Sequence, residues 1–129
     1  MPGRRILVVD DDREFLEELT ETLNLSGYEV NSVSESGRAV GLAAKFRPDL
    51  ILLDLKMAGM TGFEVAEKLR LLPQTAGIPI IAISAFFNES RDCTVLDFFQ
   101  IKRCLQKPFN PLDVIANIET TLKDADISS

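Results

Sequence analysis

The sequence predicts an α/β fold: a doubly wound, five-stranded parallel sheet with helices on both faces. Two observations predict it. Five short apolar runs alternate with amphipathic stretches along 129 residues. The runs at residues 6–9, 50–53 and 78–83 are almost unbroken in apolar character, as strands covered on both faces must be. Strands that alternate with helices need right-handed crossovers, which wind the helices onto both sides of the sheet.

Each element has a local reason. Residues 6–9 (ILVV) are β-branched and closed by acids, giving a first buried strand. Residues 13–25 put Phe15, Leu16, Leu19 and Leu23 on one helical face, with Asp12 as N-cap and Gly27 as stop. Residues 28–33 alternate like an edge strand. Residues 36–46 form a helix of small side chains, Ala39, Val40, Ala43 and Ala44, broken by Arg47 and Pro48. Residues 50–53 (LILL) are the second buried strand and end at Asp54. Thr61 opens a helix through Leu72 with Phe63, Val65, Ala66 and Leu69 inward, and residues 73–77 are loop. Residues 78–83 are the third buried strand and end at Ser84. Residues 88–100 form a helix capped by Asn88, and residues 101–106 a short last strand ending at Lys107 and Pro108. Pro111 suits the first turn of a final helix through Lys123, which leaves 124–129 as a frayed tail. One domain over residues 1–129 is expected, with its core at about 4–123; no linker, repeat or low-complexity tract interrupts it.

Composition removes whole classes of chemistry. Hydrophobic residues at 46% and charged residues at 26% describe a soluble globular chain. Fourteen Lys and Arg against twenty Asp and Glu give a net charge of −6, which argues against nucleic acid as this domain's ligand. No apolar run is long enough to span a bilayer and no signal peptide opens the chain, so a cytoplasmic location is expected. Histidine is absent, which excludes His-dependent triads, His-ligated metals and His general bases. Cys93 and Cys104 are too few and too far apart for a zinc site and read as reduced core thiols. Any chemistry must rest on carboxylates, lysine, hydroxyls and a hard cation.

Ligands of such sheets bind at the carboxyl ends of the strands. There stand Asp10, Asp11 and Asp12, then Asp54, Ser84 and Lys107. Singly each has a bland explanation: a cap, a loop serine, a solvated lysine. Together they converge on one crevice. Asp10, Asp11 and Asp54 at close range repel one another and raise at least one pKa unless a cation intervenes. Mg²⁺ takes oxygen ligands and binds through one or two carboxylates with phosphate oxygens. Lys107 and Ser84 suit the oxygens of a phosphoryl group, with Asp54 as acceptor.

These residues carry a resemblance to the response-regulator receiver domain, the phosphoacceptor module of two-component signalling. It extends from Arg4 to Lys123, and its strongest stretches are residues 6–12, 47–54, 57–64, 78–85 and 107–109. The resemblance implies a flavodoxin-like strand order of 2-1-3-4-5. It implies Asp54 as phosphoacceptor and a Mg²⁺ site of Asp11 directly, Asp10 through water, Asp54 and the backbone carbonyl of Lys56. It implies phosphoryl contacts from Ser84 and Lys107, a cis peptide before Pro108, and at Ala85 a side chain small enough to leave the acceptor accessible. The implied partner is a sensor histidine kinase or phosphotransfer protein, with self-phosphorylation and self-dephosphorylation as the only enzymatic activity. Where the family usually has an aromatic switch residue, this chain has Cys104; Gln100–Arg103 and Ala58 also depart from the usual pattern. Lys56 and Phe86 stand where access of water is tuned. The small Cys104 side chain shifts the expected switch to Phe86, Phe87 and Asn88, while Phe98 and Phe99 suit either the core or a partner surface.

Two other functions remain open on sequence. A small phosphatase of the haloacid-dehalogenase type would use Asp10 and Asp12, but Arg13 follows where Thr or Val is expected and Asp54 has no role. A phosphorylation-independent interaction module would explain Cys104, against which the presence of Asp54 and Lys107 weighs.

Overall fold

The computed structural model describes residues 3–57, 59–85, 96–101, 103–107 and 109–128. Its strands are β1 (Arg5–Val9), β2 (Glu29–Val33), β3 (Leu50–Asp54), β4 (Ile80–Ser84) and β5 (Arg103–Gln106). Its helices are α1 (Arg13–Leu25), α2 (Ser36–Phe46), α3 (Gly62–Leu71) and α4 (Pro111–Ser128). All pairings are parallel and the sheet order is β2-β1-β3-β4-β5, the order the resemblance implied.

The period of two along each strand divides the core into two layers. Ile6, Val8, Leu50, Leu52 and Ile81 pack against Leu16, Leu19 and Leu23 of α1 and Val114, Ile118 and Leu122 of α4. Leu7, Val9, Ile51, Leu53, Ile80 and Ala82 pack against Ala39 and Ala43 of α2 and Val65, Ala66 and Leu69 of α3. Central strands therefore need apolar residues at every position, which is why they read as continuous runs.

The helix ends follow local chemistry. The Asp12 carboxylate accepts from the Phe15 N–H at 3.2 Å and caps α1. Gly27 takes φ +95° just past its end. Thr61 caps α3 by accepting from the Glu64 N–H at 3.2 Å. Arg47, at φ +53°, ends α2 in the left-handed region.

Several boundaries differ from expectation. β1 begins at Arg5, whose register partner is Glu29, so Tyr28 lies outside β2. β4 begins at Ile80 because Pro79 has no N–H for the ladder. β5 begins at Arg103: the N–H of Ile101 instead donates to the Leu96 carbonyl at 2.8 Å. The last helix continues to Ser128, where a frayed tail from 124 was expected. Acids at a helix C-terminus oppose the macrodipole. Here Asp124 pairs with Arg103 at 3.3 Å and Asp126 pairs with Arg4, so an arginine at the start of β5 and one just before β1 offset that repulsion. Of the helix expected at 88–100, residues 96–98 are helical, and Gln100 closes it at φ +60°. Its cap Asn88, together with Ala58, Phe86, Phe87, Cys93 and Pro108, lies outside the described residues.

Two glycines give opposite expectations. A Cβ on Gly62 would stand 2.2 Å from the Asp54 carbonyl oxygen and 2.6 Å from Leu55 Cα, both backbone atoms. Gly62→Ala should therefore cost about 1–3 kcal/mol or more through forced backbone shifts. Gly41 is an exposed interior position of α2, and a methyl group added there would meet nothing within 4 Å. Gly41→Ala should stabilise by about 0.5–1 kcal/mol. Urea unfolding of both variants checks the pair.

Candidate functional site

Register brings the acids together. Val9 pairs with Leu53, so Asp10 and Asp54 stand level, one step on, on neighbouring strands. Parallel strands lie about 4.8 Å apart, which forces the two carboxyl groups into one neighbourhood. Asp10 is 0% and Asp54 5% exposed, whereas Asp11 is exposed. Oxygens of Asp10, Asp11 and Asp54 all lie within 4.8 Å of one another.

Buried carboxylates need donors, and the chain supplies them locally. Asp10 Oδ1 accepts from the Asp12 N–H at 2.9 Å, and Asp54 Oδ1 from the Lys56 N–H at 3.1 Å. The Lys107 Nζ donates to Asp10 Oδ2 at 2.5 Å and lies 3.9 Å from Asp54 Oδ2. Its stem is largely buried, and the ammonium sits 4.2 Å from the centre of the Phe15 ring. Lys107 is placed by the end of β5: Ser84 pairs with Gln106, and the Lys107 N–H donates to the Ser84 carbonyl at 2.8 Å.

Burial is the main force raising the Asp54 pKa, from 3.8 to about 6; the nearby Asp10 charge raises it further. The Lys56 N–H and the Lys107 ammonium pull the other way. The expected repulsion among the strand-end acids is thus present, and it falls on Asp54.

Asp10, Asp11, Asp54 and Lys107 are therefore gathered at one crevice, with the Lys56 amide on the Asp54 carboxylate. Ser84 is fully buried at the end of β4. By the strand's alternation it shares the parity of Ile80 and Ala82, whose side chains belong to the α2–α3 layer. Cys104 is half-buried on β5 against that same layer, less enclosed than a core thiol. Phe99 packs on the core, whereas Phe98 is 79% exposed. Ala85 lies beside Lys107 along a cleft between α1 and α4.

Two contributors escaped the sequence reading. Phe15 counted only as a core-facing helix residue, yet its ring touches the Lys107 ammonium. Its place in the first turn after the acidic run was the available signal. Gly62 read only as the end of the loop at 58–62, yet it lets the start of α3 lie against the Asp54 backbone, and its N–H donates to the Leu55 carbonyl at 3.1 Å.

A divalent hard cation fits this donor set. The three acids offer oxygen ligands and excess negative charge at a common point, and Mg²⁺ prefers carboxylate oxygens while keeping several waters.

The raised Asp54 pKa makes metal-free stability depend on pH. Below its unfolded value of 3.8 the group is protonated in both native and unfolded chains and carries no cost. Above about pH 6 it is ionised in both, and only the native state bears the burial and repulsion. Between these limits the native chain binds more protons, so the contribution of Asp54 to stability falls as pH rises, by at most about 1.4 kcal/mol for each pH unit crossed. Asp54→Asn should remove this window and raise the melting temperature at neutral pH in chelator. Melting curves of both chains across the acid-to-neutral range measure it; parallel profiles would contradict the assignment.

Comparison with known proteins agrees with this fold. Residues 6–119 match the response regulator receiver domain family. The phosphate regulon transcriptional regulatory protein PhoB of Pseudomonas aeruginosa is 32% identical over 123 residues, covering 95% of this chain and 53% of that protein. The DNA-binding response regulator MtrA of Mycobacterium tuberculosis H37Rv is also 32% identical, covering 95% of this chain and 52% of that protein. The chain thus spans about half the length of these curated relatives. A CheY-like receiver domain protein from Methanospirillum hungatei superposes with a TM-score of 0.90 at 26% identity, covering 98% of this chain and 99% of that one. Chemotaxis protein CheY4 of Vibrio cholerae gives 0.87 at 28% identity, covering 92% and 98%. No helix among the described residues is long and apolar enough to cross a membrane. With the sheet order, the strand-end acids and the match over residues 6–119 in agreement, the chain belongs to the response regulator receiver domain family.

Proposed function

We propose that this domain accepts a phosphoryl group on Asp54 from a phosphohistidine of a sensor kinase or phosphotransfer protein, and thereby switches a signalling output. The supporting observation is the state of Asp54: a nearly buried carboxylate, its pKa pushed up to about 6, beside two acids and the Lys107 ammonium. A more basic carboxylate is a better nucleophile, and at neutral pH it is still mainly ionised.

One Asp54 oxygen forms a bond to phosphorus as the P–N bond to the donor imidazole breaks, and the departing nitrogen keeps the electron pair. The product is an acyl phosphate. Lys107 moves from Asp10 toward a phosphoryl oxygen, a shift its flexible stem allows. The Ser84 hydroxyl takes another phosphoryl oxygen. Asp10, Asp11, Asp54 and the Lys56 carbonyl would hold Mg²⁺, which supplies charge neutralisation for the phosphoryl oxygens when bound. Attack of water on the acyl phosphate returns the Asp54 carboxylate and releases inorganic phosphate, which resets the domain; the activity is confined to self-phosphorylation and self-dephosphorylation.

The phosphatase alternative is not favoured. Asp10 is fully buried and committed to Lys107 and the Asp12 N–H, which disfavours it as a nucleophile. A net charge of −6 supports no nucleic-acid role for this chain itself, and a cytoplasmic location suits a kinase-fed receiver.

Intact mass after treatment with acetyl phosphate and Mg²⁺ should show one added phosphoryl group, lost by base treatment and absent from Asp54→Asn. Labelling that persists in that variant, or maps to Asp10, would return the reading to the phosphatase class. Mg²⁺ should also raise the melting temperature, because binding adds about 2.7 kcal/mol of stability at a hundredfold its dissociation constant. Asp11→Ala should weaken that effect; an unshifted wild-type melt would count against the metal site.

A further inference from the structure

Beneath the lysine lies an aromatic ring that takes no part in the transfer chemistry. Lys107 has a long flexible stem, and a point charge on such a stem needs restraint to sit at one place. Among the described residues three groups restrain it: Asp10 Oδ2 at 2.5 Å, Asp54 Oδ2 at 3.9 Å, and the Phe15 ring centre at 4.2 Å. The first two are the charges that Mg²⁺ and the phosphoryl group would engage. Of the three, the ring alone is left unchanged by transfer.

The ring is itself held. The Phe15 N–H is bound by the Asp12 cap at 3.2 Å, and the Asp12 N–H by Asp10 Oδ1 at 2.9 Å. Asp10 and Phe15 thus sit on one locked segment, and both grip the same ammonium. The Phe109 ring packs edge to face on Phe15, with centroids 5.5 Å apart and planes at 80°. Phe109 lies two residues beyond Lys107, so lysine, ring and second ring close a small loop of contacts between β5 and α1. An aliphatic side chain at 15 would cover the lysine stem as well. Only an aromatic face also attracts the charge.

We propose that Phe15 is a positioning residue for Lys107: its ring face keeps the ammonium at the phosphoryl site when Asp10 and Asp54 turn to metal and phosphate. This rests on the reading of Asp54 as acceptor and Lys107 as its phosphoryl contact. Phe15 acts through Lys107 and not on the reacting oxygens.

The test is the initial rate of phosphorylation by acetyl phosphate at saturating Mg²⁺, with Mg²⁺ affinity measured separately by calorimetry. Phe15→Leu should slow phosphorylation about three- to tenfold, the size expected of a partly desolvated cation–π contact. Phe15→Tyr should keep the rate within about twofold, because the ring face is retained. Mg²⁺ affinity should be unchanged in both. In a Lys107→Ala background, Phe15→Leu should have no further effect. Should Phe15→Leu fold poorly, Phe15→Met carries the same expectation, since it fills the volume without a ring. A Phe15→Leu chain as fast as wild type would overturn the proposal and leave the acceptor reading intact. The same factor lost with and without Lys107, or a parallel fall in Mg²⁺ affinity, would assign Phe15 to packing of residues 10–12 and overturn it too. A wild-type chain that takes no phosphoryl group would overturn both readings together.

Discussion

Two largely buried carboxyl groups, Asp10 and Asp54, are held side by side at the carboxyl ends of neighbouring strands, and everything else at the site answers that constraint. Their proximity is set by the parallel register of β1 and β3, and both side chains are almost wholly withdrawn from solvent. Three donors offset part of the cost: the N–H groups of Asp12 and Lys56 and the ammonium of Lys107. The offset is incomplete, as the Asp54 pKa of about 6 records. A protein tuned only for stability would replace one of these acids with an apolar residue. A site kept under electrostatic tension is instead ready to gain from a bound cation, and to trade one ligand arrangement for another as charge on Asp54 changes.

The fold supplies this tension with few parts. Residues 10–15 run from strand end to first helical turn, and their own hydrogen bonds fix both the buried acid and the Phe15 platform. β3 carries Asp54, and the start of α3 lies tight against it through Gly62. β5 delivers Lys107 by one backbone hydrogen bond to Ser84. Strand ends from distant parts of the sequence thereby meet at one edge of the sheet.

Much of this was legible in the sequence alone. The apolar runs at 50–53 and 78–83 read as strands covered on both faces, and the polar residue ending each run pointed to the same edge. Asp12 as a cap and Thr61 as the start of a helix were legible too, because such signals are local. What stayed hidden depends on contacts distant in sequence. The extension of α4 to Ser128 needs Arg4 and Arg103, which lie far from Asp126 and Asp124 along the chain. The start of β5 at Arg103 reflects Ile101 bonding back to Leu96, a choice that an apolar pattern does not encode. The ring of Phe15 follows ordinary helical periodicity, and only the arrival of Lys107 from the far edge strand gives it a second role.

Asp54 as the strained carboxyl group of the cluster is the central claim. Carbon-detected NMR of side-chain carboxyl groups measures this directly, residue by residue, with and without Mg²⁺. In metal-free buffer Asp54 should titrate near pH 6. With Mg²⁺ present its titration should move to the acid side, because a bound cation favours the ionised form. An Asp54 that titrates like an ordinary aspartate in metal-free buffer, and does not respond to Mg²⁺, would contradict the claim.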